Sequence, residues 1–338
     1  MTRFPRRSLP FLLVLPALAS QQALAQEEAS APAGEEEVAA PEAGNPLEPL
    51  GRLVGGQWGP MEYDILNEYH RFRWGAGNRS MHVATWQASE EGADAPVGSG
   101  FLYWDPQLQK IVGTVVIEGA CIKEINEVEI TDRQWDFKYD YYSGGDVVKT
   151  RESFEWDGED LYNWRILYAE WEWMSLLFGR TEESSAALPL MPTDDEESAY
   201  LGILEPLIGN WNKSSAEGGS RTVCYWVIDR SVALARSLKT VDGEEVVTGD
   251  AFLYWSHALS SVRFVSVQAD GDVFRGTVAK VGDALEFEFI QVGADGTRYL
   301  ERIELPTEEG DNTLRAKSWV IRGGERQPMG ESVFTPAS

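Results

Sequence analysis

The second half of the chain alternates apolar and polar side chains in short runs broken by Gly, Asp and Asn. The runs are Arg221 to Ile228, Val232 to Val241, Val246 to Trp255, Ser260 to Gln268, Asp272 to Val281, Ala284 to Val292, Thr297 to Leu305, Thr313 to Arg322 and Pro328 to Phe334. Period-two alternation with such breaks is the signature of antiparallel hairpins. A further strand beginning at Trp211 brings the number to about ten within about 130 residues, and helical periodicity is nearly absent. So many sequential short strands must close on themselves or stack, because open edges attract other chains. The pattern predicts an all-β protein built on closed antiparallel up-and-down barrels.

The first half repeats the second. Leu53-Val54-Gly55-Gly56-Gln57-Trp58 returns as Leu207-Ile208-Gly209-Asn210-Trp211. Trp74 lies 16 residues after Trp58, and Trp226 lies 15 after Trp211. Phe101-Leu102-Tyr103-Trp104 returns unchanged as Phe252-Leu253-Tyr254-Trp255, ending 30 and 29 residues beyond those second tryptophans. Landmarks held in register within one residue mark an internal duplication. Two tandem barrels of about ten strands each are therefore expected, over residues 47–181 and 199–338. The Ser-, Pro- and acid-rich stretch 182–198 reads as their linker, and Ala199 to Leu207 as a helical lead into the second barrel.

Ahead of the barrels, Arg3, Arg6 and Arg7 precede an apolar run from Leu9 to Ala19 and then Ala23-Leu24-Ala25. That order is an export signal over residues 1–25, too short and proline-broken to span a bilayer. The pair Arg6-Arg7 leaves both general and twin-arginine export open. Residues 26–46 carry six glutamates among Ala, Pro and Gly, too little apolar surface to offset ordering entropy, and read as a disordered acidic tether. The expected product is exported to the periplasm or outside the cell, with no transmembrane segment.

Charge removes whole classes of partner. The chain has 29 basic and 55 acidic side chains, a formal charge of −26, or −29 without the three leader arginines. Such an excess repels nucleic acid and anionic membranes. Two cysteines make no disulfide framework, and three histidines leave little for metal chemistry. A bridge between Cys121 and Cys224 is permitted by export, though the inward position of Cys224 argues against it. His257 follows a strand at a turn and reads as a solvated loop residue.

Gly-x-Trp opening an up-and-down barrel resembles the lipocalins and wider calycins. Ten strands per unit look more like the nitrobindin-type barrels and the lipocalin-like domains of exported bacterial proteins. The resemblance implies a small, often apolar ligand held inside a barrel. A nitrobindin-type haem site needs a histidine near the last strands; neither Tyr168 to Arg180 nor Thr313 to Phe334 supplies one, so no cofactor is expected.

Chemistry must come from what faces inward, because side chains alternate across a strand. His70, Phe72 and Trp74 share one face, matched by Thr222, Cys224 and Trp226. His82, Ala84 and Trp86 match Leu234, Arg236 and Leu238. A three-residue loop at Gly75-Ala76-Gly77 places His70 opposite His82, both inside; loops of two or four residues pair His70 with Met81 or Val83 instead. Glu152 alternates with Phe154 and Trp156, and Glu301 with Tyr299, Ile303 and Leu305. A carboxylate inside a barrel must be paired, hydrogen-bonded or protonated. Arg236 is the expected partner of Glu301, and His70 or His82 of Glu152.

These residues admit three readings: end-caps of a packed barrel, a Zn²⁺ or Fe²⁺ site, or polar groups orienting a small ligand. No metal-ligand spacing supports the second. Nine of the 13 tryptophans lie in the first repeat, which makes barrel one the likelier ligand site, with Trp156, Trp164, Trp171 and Trp173 crowding its last strands. The expected function is a non-enzymatic binding protein for a small apolar or aromatic ligand, through His70, Trp74, His82, Glu152 and Trp156 in barrel one and Trp226, Arg236 and Glu301 in barrel two. The alternatives are an enzyme using Glu152 with His70 or His82 as a proton-transfer pair, and an envelope interaction protein with filled barrels. Phe101–Trp104 and Phe252–Trp255 are apolar on both faces, and are expected to pack the barrels together.

Overall fold

The computed structural model describes residues 44–61, 68–88, 94–117, 121–143, 146–168, 171–181, 200–215, 218–228, 230–256, 259–293, 297–306 and 312–337. The export segment, the tether up to residue 43, the linker and His257 lie outside the described residues.

The first barrel is β1 (Gln57–Pro60), β2 (Glu68–Trp74), β3 (Ser80–Gln87), β4 (Ala95–Asp105), β5 (Lys110–Ile117), β6 (Cys121–Ile130), β7 (Gln134–Ser143), β8 (Asp146–Trp156), β9 (Leu161–Tyr168) and β10 (Trp171–Thr181). The second is β11 (Gly209–Ser215), β12 (Gly218–Val227), β13 (Val232–Val241), β14 (Glu244–Ser256), β15 (Ser261–Gln268), β16 (Val273–Val281), β17 (Ala284–Gln291), β18 (Arg298–Glu304), β19 (Leu314–Arg322) and β20 (Glu325–Pro336). Every strand pairs antiparallel with its sequence neighbours, and β10 and β20 return to β1 and β11 to close the barrels. The expected fold class is the observed one.

Each barrel is stoppered by the segment before its Gly-x-Trp. A 3₁₀ turn at Glu48–Leu53 buries Leu47, Leu50 and Leu53, and a second at Gly202–Leu207 buries Leu201, Leu204 and Leu207. Leucines three apart fall on one side of a three-residue turn, so one apolar edge enters the bore. The tryptophan then locks the stopper. Trp58 donates its indole N–H to the Leu53 carbonyl at 2.9 Å, and Trp211 donates to Leu207 at 2.8 Å. The duplicated motif thus plugs one end of each barrel in the same way.

The FLYW strands divide their side chains between two cores. Leu102 faces the first bore with Trp104 packed against it, and Leu253 and Trp255 do the same in the second. Phe101 and Tyr103 point outward into a buried cluster with Val232, Phe252, Tyr254 and Val265. The Phe101 and Phe252 rings stack with centroids 6.1 Å apart. Around that cluster, Arg275 donates to Asp105 at 2.9 Å, and Asp250 accepts from the Ala76 backbone N–H at 2.7 Å and from Arg236 at 2.8 Å. Gly77, at φ +54°, brings the β2–β3 turn so close that a Cβ there would lie 2.4 Å from the Ala269 carbonyl oxygen.

That turn also sets the register. It runs from Gly75 through a 3₁₀ turn at Ala76–Asn78, with the Gly75 N–H on the Ser80 carbonyl, and pairs Trp74 with Met81 and His70 with Thr85. The expected three-residue loop, and the two- and four-residue alternatives, are all too short. Relative to a three-residue loop the pairing shifts by an odd number of residues, which turns β3 over. His82 consequently faces out of barrel one, not into it.

Candidate functional site

The bore of barrel one has a dry half and an open half. At the stoppered end Trp58, Met81, Leu102, Trp135, Phe154 and Tyr162 are almost wholly buried. Trp156 belongs there, under the Arg52 guanidinium at 3.6 Å, and Trp74 lies against Gly51 of the stopper. Toward the opposite end the inward residues Glu68, His70, Val83, Val115, Lys123, Tyr141 and Tyr168 keep surface that water can reach. Enclosed side chains with accessible surface line a recess.

Glu152 is the centre of its polar lining. Its Oε1 accepts from Lys123 Nζ at 2.5 Å and from Tyr139 Oη at 2.9 Å. Burial pushes the carboxyl up, but the Lys123 charge and hydrogen bond, the Tyr139 hydrogen bond and His70 outweigh it, and the group stays ionised below its ordinary range. His70 shares the recess. Its ring stacks on Phe178 at 5.5 Å and meets Trp164 edge-on at 5.6 Å, and no hydrogen bond joins it to Glu152 among the described residues. Burial lowers His70 to about 4, against the pull of Glu152, so its imidazole is neutral at pH 7. Glu68, on the same face of β2, is raised by burial.

The partners of Glu152 therefore differ from those expected. Lys123 and Tyr139 were missed, although both carry the available signal: each alternates with apolar neighbours, Lys123 with Ile125 and Tyr139 with Trp135 and Phe137. The expected pairing with His82 fails because β3 is turned over. His82 lies against Phe101 and 3.4 Å from Asp250 of the other barrel. Burial pushes Asp250 up, but His82 and Arg236 together bring it down to about 2. Arg236 also faces out of its barrel, because β13 pairs it with Val223 and Asp250 while Ala233 and Ala235 point inward. It binds Asp250, not Glu301.

Glu301 does lie in the bore of barrel two, but in a sealed one. It is 0% exposed, against 9% for Glu152, and sits opposite Phe287 and Ser318. Burial raises its carboxyl well above the usual range, opposed by Lys213 and the Ser318 hydroxyl. Both glutamates thus face a lysine, supplied by β6 in one barrel and β11 in the other. Trp226 is half-buried against the second core and donates to Glu205 of the stopper at 3.2 Å. Cys121 and Cys224 are unbridged, one in each barrel.

Other surfaces are concave. A trough of about 520 Å³ runs over the outer face of β6–β8 among Lys110, Glu127, Lys138, Lys149 and Arg151. A cleft of about 200 Å³ lies between the barrels beside Tyr103, Glu124, Tyr254 and Arg263. Trp171 and Trp173, 81% and 64% exposed, stand on β10 at the recess end, outside the bore. Among the described residues no group of three or more His, Cys, Asp or Glu side chains could hold a metal ion.

No family model and no curated protein matches the chain. Among solved structures it is similar to a protein of unknown function of the DUF3598 family from Nostoc punctiforme, at 9% identity and a TM-score of 0.17, covering 84% of this chain and 95% of that one.

His70 gives an acid signature. Its folded value lies below the usual 6.5, so the stability tied to its neutral form is intact above pH 6.5 and lost as pH falls toward 4. His70→Gln is expected to flatten the stability of the protein across that window in urea titrations. An unchanged slope would contradict the buried neutral imidazole.

Proposed function

We propose that the protein is an exported binding protein that holds a small apolar or aromatic ligand in the open half of barrel one. The carrying observation is the contrast between the duplicated glutamates: Glu152 keeps 9% of its surface exposed beside partly exposed inward neighbours, and Glu301, at 0%, is closed over. Aromatic walls with a few oriented polar groups are the composition of small-molecule sites. His70, Lys123, Tyr139 and Glu152 are the groups assigned to orientation, with barrel two as a packed companion. The proton-transfer reading has less support, since Glu152 is committed to Lys123 and Tyr139 and His82 faces elsewhere. Export rests on the basic, apolar and small-residue order of residues 1–25 alone; no helix among the described residues is long and apolar enough to cross a membrane.

We infer also that residues 47–181 and 199–338 are domains that move as one body, joined through the outward side chains of the two FLYW strands. The stacked phenylalanines and the polar links of Asp250 and Asp105 support it. Residual dipolar couplings from both barrels are expected to fit a single alignment tensor; two unrelated tensors would refute a fixed pair.

Indole, a neutral aromatic probe, tests the binding reading. It is expected to shift the NMR signals of His70, Tyr139 and Tyr168, and Val115→Trp, which fills the recess, is expected to abolish the shifts. Absence of shifts, or shifts confined to the outer trough or to Trp171 and Trp173, would overturn the assignment.

A further inference from the structure

We propose that the recess of barrel one selects a small organic cation, an amine carrying a compact apolar or aromatic group. The inference deepens the binding reading above and rests on it.

The charge count inside the recess carries the argument. Glu68 lies two residues before His70 on β2 and so shares its inward face, Glu152 projects from β8, and Lys123, on β6 opposite Tyr141, is the one ammonium on that lining among the described residues. Lys123 is spent on Oε1 of Glu152, which Tyr139 also occupies. Glu68 receives no hydrogen bond or ion pair from the described residues, and His70 brings no charge at neutral pH. One carboxyl of the enclosure is therefore left without a positive partner among the described residues. A negative ligand meets that surplus as repulsion, a neutral one gains nothing from it, and a cation relieves it where the local dielectric makes each charge count most.

The walls fit the same ligand. Tyr139, Tyr141, Tyr168 and Trp164 face the bore, and the faces of aromatic rings attract cations. One ammonium is already held this way: Lys123 Nζ stands 5.3 Å from the Tyr139 ring centroid. An apolar group beside the amine would contact the same rings. The formal charge of −26 also draws cations toward the molecule before any contact forms.

Calorimetric titration of the full chain at pH 7 with protonated benzylamine, benzyl alcohol and benzoate separates the possibilities. Benzylammonium is expected to bind about tenfold or more tightly than benzyl alcohol, with that advantage shrinking as salt is added. Glu68→Gln is expected to remove the advantage of the amine over the alcohol. Lys123→Met, which deepens the deficit, is expected to increase it. Equal binding of the alcohol and the amine, tighter binding of benzoate, or an amine preference untouched by Glu68→Gln would overturn the selection for cations while the recess reading stands. If none of the three binds, and indole binds nowhere in the recess, both fall.

Discussion

Closing ten antiparallel strands into a ring commits every second side chain to a bore with no other outlet. Everything distinctive about this protein follows from what the duplicated chain places there. Apolar side chains fill such a space at little cost, but an ionised group must bring its partner along or give up its charge. Each barrel carries a glutamate at the equivalent place on its eighth strand, and each answers the cost with a lysine. In barrel one the lysine reaches the carboxylate, with a tyrosine beside it, and inward neighbours such as His70, Tyr141 and Tyr168 keep partial exposure. In barrel two the carboxylate is shut among Phe287, Ile303 and Ser318 and is driven toward its neutral form. The duplicated glutamate is partly exposed in one copy and closed over in the other.

The stoppers explain why the recess opens at one end only. Leucines spaced by three enter the bore ahead of the first strand, and an indole N–H ties the last of them down. With Trp58, Trp135 and Trp156 massed under that plug, the polar residues are left to the far half of the barrel. The two FLYW strands, apolar on both faces, serve the bores with Leu102, Trp104, Leu253 and Trp255, while Phe101, Tyr103, Phe252 and Tyr254 belong to a third buried cluster.

Strand number, barrel closure and the stopper-bearing Gly-x-Trp were legible in the sequence because they depend on spacing and repetition, which survive small errors. Site chemistry was only half legible, because it depends on register. His70, Glu152 and Glu301 were placed correctly in the bores, each lying on a strand with unambiguous apolar neighbours. His82 was misplaced because Gly75-Ala76-Gly77 reads as a short loop, whereas the chain takes a 3₁₀ turn there and presses Gly77 onto the other barrel. Arg236 was misplaced because barrel packing makes both faces of β13 apolar: Ala233 and Ala235 point in while Val232 and Leu234 point out. The inward position of Lys123 is obscured in the sequence by the alternating acids of β6, where a bulge between Ile125 and Glu127 breaks the period.

The two native cysteines provide the most direct measurement of the central claim, that one bore is open and the other closed. Cys121 lies at the recess end of barrel one, half-buried, 3.4 Å from the Ser143 hydroxyl. Cys224 lies in the core of barrel two, where burial pushes its thiol up to about 12. In native protein treated with iodoacetamide and mapped by mass spectrometry, the account predicts alkylation of Cys121, with Cys224 reacting only after unfolding. Alkylation of both at similar rates, or a silent Cys121 in a folded chain, would contradict it.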